Sequence, residues 1–142
     1  MKKLLLCAFF ALALGNLSFN GKFGLDDYEI YLNNKLMLKQ QVNQPLNLRV
    51  LALDKAKESD QLRLVYRHCR LDNGPGTGRS IVLKDDKGNS LQKWDFKDAG
   101  QMIIAVKDLL EAEKKAAGHQ VSLIYLSHEL DRGEMLALVR FK

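Results

Sequence analysis

The chain has 142 residues, with 22 Lys+Arg against 17 Asp+Glu, two cysteines, two prolines and 46% hydrophobic residues. So apolar a composition excludes a disordered chain, and so few prolines and cysteines exclude collagen-like, Pro-rich and disulfide-stapled scaffolds. The length fits one domain, large enough to bury roughly two-thirds of its unfolded surface.

The first segment reads as an address. Met1-Lys2-Lys3 is a short positive start, Leu4 to Leu14 is an unbroken apolar run, and Ala13-Leu14-Gly15 offers small residues to a signal peptidase. The run is shorter than the roughly 20 residues a membrane span needs, so residues 1–15 read as a cleaved bacterial secretory signal. Removing those 15 residues and their two lysines leaves 127 residues carrying +3. With no Lys/Arg run, that charge argues against nucleic acid as a partner. Cys7 falls inside the signal and lacks the small preceding residue of a lipoprotein site. Cys69 is then the lone mature cysteine, expected to be buried. No second apolar segment is long enough for a membrane span.

After a loose lead-in at 16–26, one domain is expected over 27–142. Tyr28, Ile30 and Leu32 alternate, Asn33-Asn34 turn, and Lys35 to Gln40 return as a hairpin. Gln44-Pro45 marks a boundary, and Leu46 to Leu53 reads as a strand. A charged loop follows at 54–60. In the strand from Gln61 to Arg70, Leu62, Leu64, Tyr66 and His68 lie on one face, with Arg63, Val65, Arg67 and Cys69 on the other. Residues 71–79 form a Gly-rich loop. Ser80–Lys84 and Leu91–Phe96 make a second hairpin, and Met102–Val106 another strand. Asp108-Leu109-Leu110-Glu111 resembles a capping box opening a helix that Gly118 stops. Gln120–Ser127, nearly all apolar and so central and covered on both faces, and Met135–Phe141 close the chain as strands.

Eight or nine short strands and one short helix predict a mainly β fold, an antiparallel β-sandwich, with an α+β sheet carrying the helix on one face as the alternative. The layout of a signal, short strands, two hairpins and no catalytic motif resembles immunoglobulin-like and related sandwich domains of the bacterial envelope. The paired cysteines of antibody-type domains are missing, and the resemblance implies architecture only.

Catalytic and metal motifs are sparse. The loop Asn73-Gly74-Pro75-Gly76-Thr77-Gly78-Arg79-Ser80 fails the P-loop pattern, because Asn73 and Arg79 replace its glycine and lysine and a strand follows. His68, His119 and His128 show no zinc spacing, no G-x-S-x-G elbow occurs, and Asp85 to Asn89 lacks the order of a calcium loop. No cofactor or metal is expected. The residues that invite binding are arginines. Arg63 and Arg67 share a strand face, Arg49 would join them if its strand lay alongside, and Gly76 and Arg79 belong to a loop able to reach a neighbour. Trp94 and Phe96 share a face and are expected in the core. These features favour an exported, non-enzymatic binding or assembly module working through sheet edges and loops, in a periplasm or outside the cell, on an envelope or secreted protein partner. A carrier of a small apolar or anionic ligand is the alternative, and a hydrolase or thiol enzyme using Cys69 or His128 a more distant one.

Overall fold

A computed structural model describes residues 24–142. The signal reading of residues 1–15 lies outside them. Strands β1 (Asp27–Leu32) and β2 (Lys35–Gln41) form the first hairpin, followed by β3 (Val50–Ala52), β4 (Gln61–Arg67), β5 (Ser80–Asp85), β6 (Ser90–Asp95) and β7 (Met102–Ala105). Helix α1 (Val106–Lys115) comes next, then β8 (Val121–Leu126) and β9 (Glu134–Arg140). They build two sheets, a four-stranded one ordered β2-β1-β4-β7 and a five-stranded one ordered β3-β9-β8-β5-β6. The fold is the expected β-sandwich with one short helix.

Period-two alternation is what makes these strands two-faced. Leu62, Leu64 and Tyr66 of β4, and His68 just past its end, are buried while Arg63, Val65 and Arg67 lie half-exposed on the outer face. Tyr28 and Ile30 of β1 pair with Tyr66 and Leu64, so their side chains continue the same inner layer. From the other sheet come Ile81, Leu83, Leu123 and Tyr125. Tyrosines bridge the gap of roughly 10 Å expected between packed sheets. Tyr66 and Tyr125 stack with ring centroids 4.1 Å apart, and the Tyr28 hydroxyl donates to the Leu136 carbonyl at 2.6 Å. Trp94 and Phe96 pack on this core from its margin, partly buried.

Four details differ from the reading of the sequence. Leu46–Leu48 is a 3₁₀ turn, and only Val50–Ala52 pairs as a strand, parallel to β9 within an otherwise antiparallel sandwich. Leu46, Leu48 and Val50 are exposed, whereas Leu51, Leu53 and the head of Arg49 turn inward. Helix α1 begins two residues before Asp108, because Val106, Leu109 and Ala112 form the buried stripe and Val106 is wholly buried. No side chain caps it. The Val106 amide donates to the Asp60 carbonyl instead, and Asp108 sits in the first turn, where its charge suits the dipole. Cys69 is a free thiol, half-buried rather than buried, because the strand gives way there to a 3₁₀ turn at Cys69–Leu71. Strand β8 is central, as expected, yet Ile124 and Leu126 on its outer side stay half-exposed.

Candidate functional site: an arginine-lined groove beside β4

The site begins with a gap in strand pairing. Along one side, β4 pairs with β1 from Leu62 to Arg67. Along the other, β7 covers it only from Gln61 to Leu64, and the next contact is the single bridge His68–Gly74. Among the described residues, Val65, Tyr66 and Arg67 therefore have no strand partner on that side. A cavity of about 280 Å³ lies there, walled by β4, by Asn73 and Pro75 of the Gly-rich loop, by Arg79, and by Gly100 and Gln101.

The loop that forms one wall is pinned from beneath. His68, only 3% exposed, has its Nε2 3.0 Å from the Tyr125 hydroxyl and 3.5 Å from Ser127 Oγ, and its Nδ1 3.5 Å from Asp26. Asp26 accepts from the Tyr66 hydroxyl and the Cys69 amide at 2.9 and 2.8 Å. Glu129 accepts from the Thr77 amide at 2.9 Å and from its hydroxyl at 2.7 Å, while the His128 amide donates to the Thr77 carbonyl. Burial pushes the Glu129 carboxyl up, but these hydrogen bonds outweigh it and hold the group at about 2. Gly76 closes the arrangement. A Cβ there would stand 2.5 Å from both His68 Nε2 and Glu129 Oε2 and 2.9 Å from the Tyr125 hydroxyl, so only glycine fits. Ser127, His68 and Asp26 line up in the order of a nucleophile, base and orienting acid. However, Tyr125 is the nearer partner of Nε2, and Gly76 fills the space where a substrate would approach.

The five residues read from sequence as binding candidates separate into three environments. Arg49 is 8% exposed, on the other sheet, donating to Glu134 at 3.2 Å and to the Met135 carbonyl at 2.6 Å. It belongs to a partly buried ion pair just before β3, and β3 and β4 lie in different sheets, so the expected grouping of Arg49 with Arg63 and Arg67 does not form. Gly76 is the loop's buried anchor. Arg63, Arg67 and Arg79 do come together, as three walls of the groove.

These three guanidiniums are not equivalent. Arg67 bonds Asp27 at 2.6 Å and Glu29 at 2.9 Å. The Tyr31 hydroxyl and then Arg67 hold the Glu29 carboxyl down at about 2. Arg63 instead lies over the Tyr31 ring, 4.1 Å from its centroid. Among the described residues, no carboxylate comes within ion-pair distance of Arg63 or Arg79. The groove thus carries two uncompensated positive charges. No group of His, Cys, Asp and Glu able to hold a metal occurs among the described residues. The partners Asp26, Tyr125, Ser127 and Glu129 carry no sequence signal, since they meet His68 and Thr77 only through the fold.

No helix among the described residues is long and apolar enough to cross a membrane. Comparison with protein families, curated proteins and solved structures finds no match to this chain.

Proposed function

We propose that this chain is an exported, non-enzymatic binding or assembly module of a bacterial envelope, and that it grips a protein partner along the free side of β4. The observation that carries this reading is the unpaired stretch Val65–Arg67 flanked by uncompensated arginine. Main-chain groups alternate sides along a strand, so Val65 and Arg67 are bonded to β1 and Tyr66 is the residue whose N–H and C=O face the gap. It can hold a short extended segment by main-chain hydrogen bonds, with specificity supplied by the side chains beside it. Register places Leu36, Tyr31, Arg63 and Ile103 in one row across the outer face, and Leu36 and Ile103 are 46% and 40% exposed. Arginine and tyrosine flanked by exposed aliphatic side chains is the composition of interface hot spots. The partner segment that fits is extended, apolar at alternate positions and negatively charged where it meets Arg63. The positive start and short apolar run at residues 1–15 support export.

The test is recovery of crosslinked partners from cells carrying Arg63→Ala or Arg63→Ala with Arg67→Ala, beside wild type. Recovery is expected to fall at least tenfold for the double variant, with the single variant intermediate. Among the described residues Arg63 makes no ion pair, and loss of its stacking on Tyr31 costs about 1 kcal/mol. Its replacement is therefore expected to leave the fold intact, and a thermal melt of each variant separates lost binding from lost folding. Unchanged recovery from both folded variants would remove the groove from the interaction.

A further inference from the structure

We propose that the inner end of the groove, at Arg79, is an oxyanion pocket that receives a carboxylate of the docking chain. The source of the anion rests on the binding reading above; the pocket itself rests on Arg79. This side chain is only 5% exposed, and its Nη2 donates to the carbonyl oxygens of Lys97 and Gly100. Its Nε is buried and has no partner among the described residues. Neutral carbonyls satisfy part of the guanidinium's hydrogen bonding and none of its charge. A buried cation left this way is costly unless an anion joins it. Asp98, the carboxylate of the same loop, accepts from the Gly78 amide at 2.8 Å and forms no ion pair with Arg79.

The surroundings suit an anion that arrives from outside. Arg79 and Arg63 wall the same cavity of about 280 Å³, and Arg67 is already neutralised by Asp27 and Glu29. The exposed side chains of Asn73 and Gln101 stand at its rim, with amide donors to offer. The two carbonyls occupy Nη2, and a carboxylate oxygen can accept from the N–H groups of the guanidinium that they leave free. The unpaired side of β4 leads into the same cavity, so an extended chain lying there would bring its terminal or side-chain carboxylate within reach.

The experiment follows the backbone amide signals of Val65, Gly100 and Gln101 by NMR as the protein is titrated with four probes. These are acetate, inorganic phosphate, an extended apolar tetrapeptide with a free C-terminal carboxylate, and the same peptide amidated. The carboxylate peptide should shift these signals saturably, and the amidated peptide should bind at least tenfold more weakly. Arg79→Lys should also weaken the carboxylate peptide at least tenfold, because a single ammonium cannot hold the Lys97 and Gly100 carbonyls and the anion together. Should that variant fail to fold, Arg63→Ala, which leaves the 97–101 loop anchored, should weaken it several-fold. Equal binding of the amidated peptide, or no response to any probe, overturns the oxyanion pocket. Acetate or phosphate binding as tightly as the peptide overturns the docking chain as the source. Peptide binding intact while partner recovery ignores Arg63 and Arg67 refutes the proposed function alone; the reverse pattern refutes this inference alone.

Discussion

Replacing Gly76 by alanine tests whether the Gly-rich loop is held by His68, Tyr125 and Glu129 at the end of the sandwich. The added methyl would meet His68, Glu129 and Tyr125 at 2.5–2.9 Å, three polar groups supplied by two different sheets and the loop after β8. Forcing a methyl into a filled site costs about 1–3 kcal/mol, and displacing the loop also strains the Thr77–Glu129 hydrogen bonds, which contribute about 1 kcal/mol or more. A total of about 2–4 kcal/mol corresponds to a fall in Tm of roughly 8–15 °C for a domain of this size. Gly88→Ala is the control. Gly88, unlike Gly76, has a positive φ, 84°, and a Cβ there meets nothing within 4 Å, so only the left-handed backbone is penalised, by about 1 kcal/mol. Thermal melts give the stabilities, and hydrogen exchange at the Thr77 and His128 amides, which hold the loop to the segment after β8, reports whether the loop itself has come away. A Gly76→Ala protein no less stable than Gly88→Ala, with both amides still protected, would refute the anchoring.

Other perturbations probe separate parts of the molecule. Glu29 and Glu129 are held at about 2, below the ordinary glutamate value of 4.5 that the unfolded chain keeps. Their stabilisation is therefore complete above about pH 4.5 and is lost as pH falls toward 2; melts from pH 6 to pH 2 should decline steeply across that window, and less so for Glu29→Gln. Arg49→Ala strands the Glu134 carboxyl, which burial already pushes upward, and should destabilise by about 3 kcal/mol. Urea titration should find Arg49→Met with Glu134→Leu recovering most of that loss. The half-buried Cys69 thiol should react with a maleimide in the folded protein, more slowly than in denaturant; a thiol silent until unfolding would contradict its placement.

Some of this was readable from the residues because alternation is a local signal. The sequence Leu62 to His68 assigns its own inner and outer faces, and the outer position of Arg63 and Arg67 follows directly. Leu46 to Leu53 misleads because alternating leucines suit an exposed 3₁₀ turn as well as a strand, and nothing nearby announces that Arg49 will turn inward to a glutamate 85 residues away. The helix start was displaced because a wholly buried Val106 outweighs a capping side chain at Asp108. Arg79 was legible as a loop residue, yet its convergence with Arg63 and Arg67 depends on β4 and β5 belonging to facing sheets. The same holds for His68, which meets Tyr125 across 57 residues of chain.

The groove beside β4 is tested most directly by placing a photoreactive amino acid in the protein within living cells, at Gln101 in one strain and at the exposed helix position Glu111 in another. Gln101 lines the groove, whereas Glu111 lies on a different surface. A partner gripped along β4 gives a discrete crosslinked species from Gln101 that is missing from Glu111 and diminished when Arg63 is also replaced by alanine. The same adducts from both positions, or none from Gln101, would contradict binding in the groove.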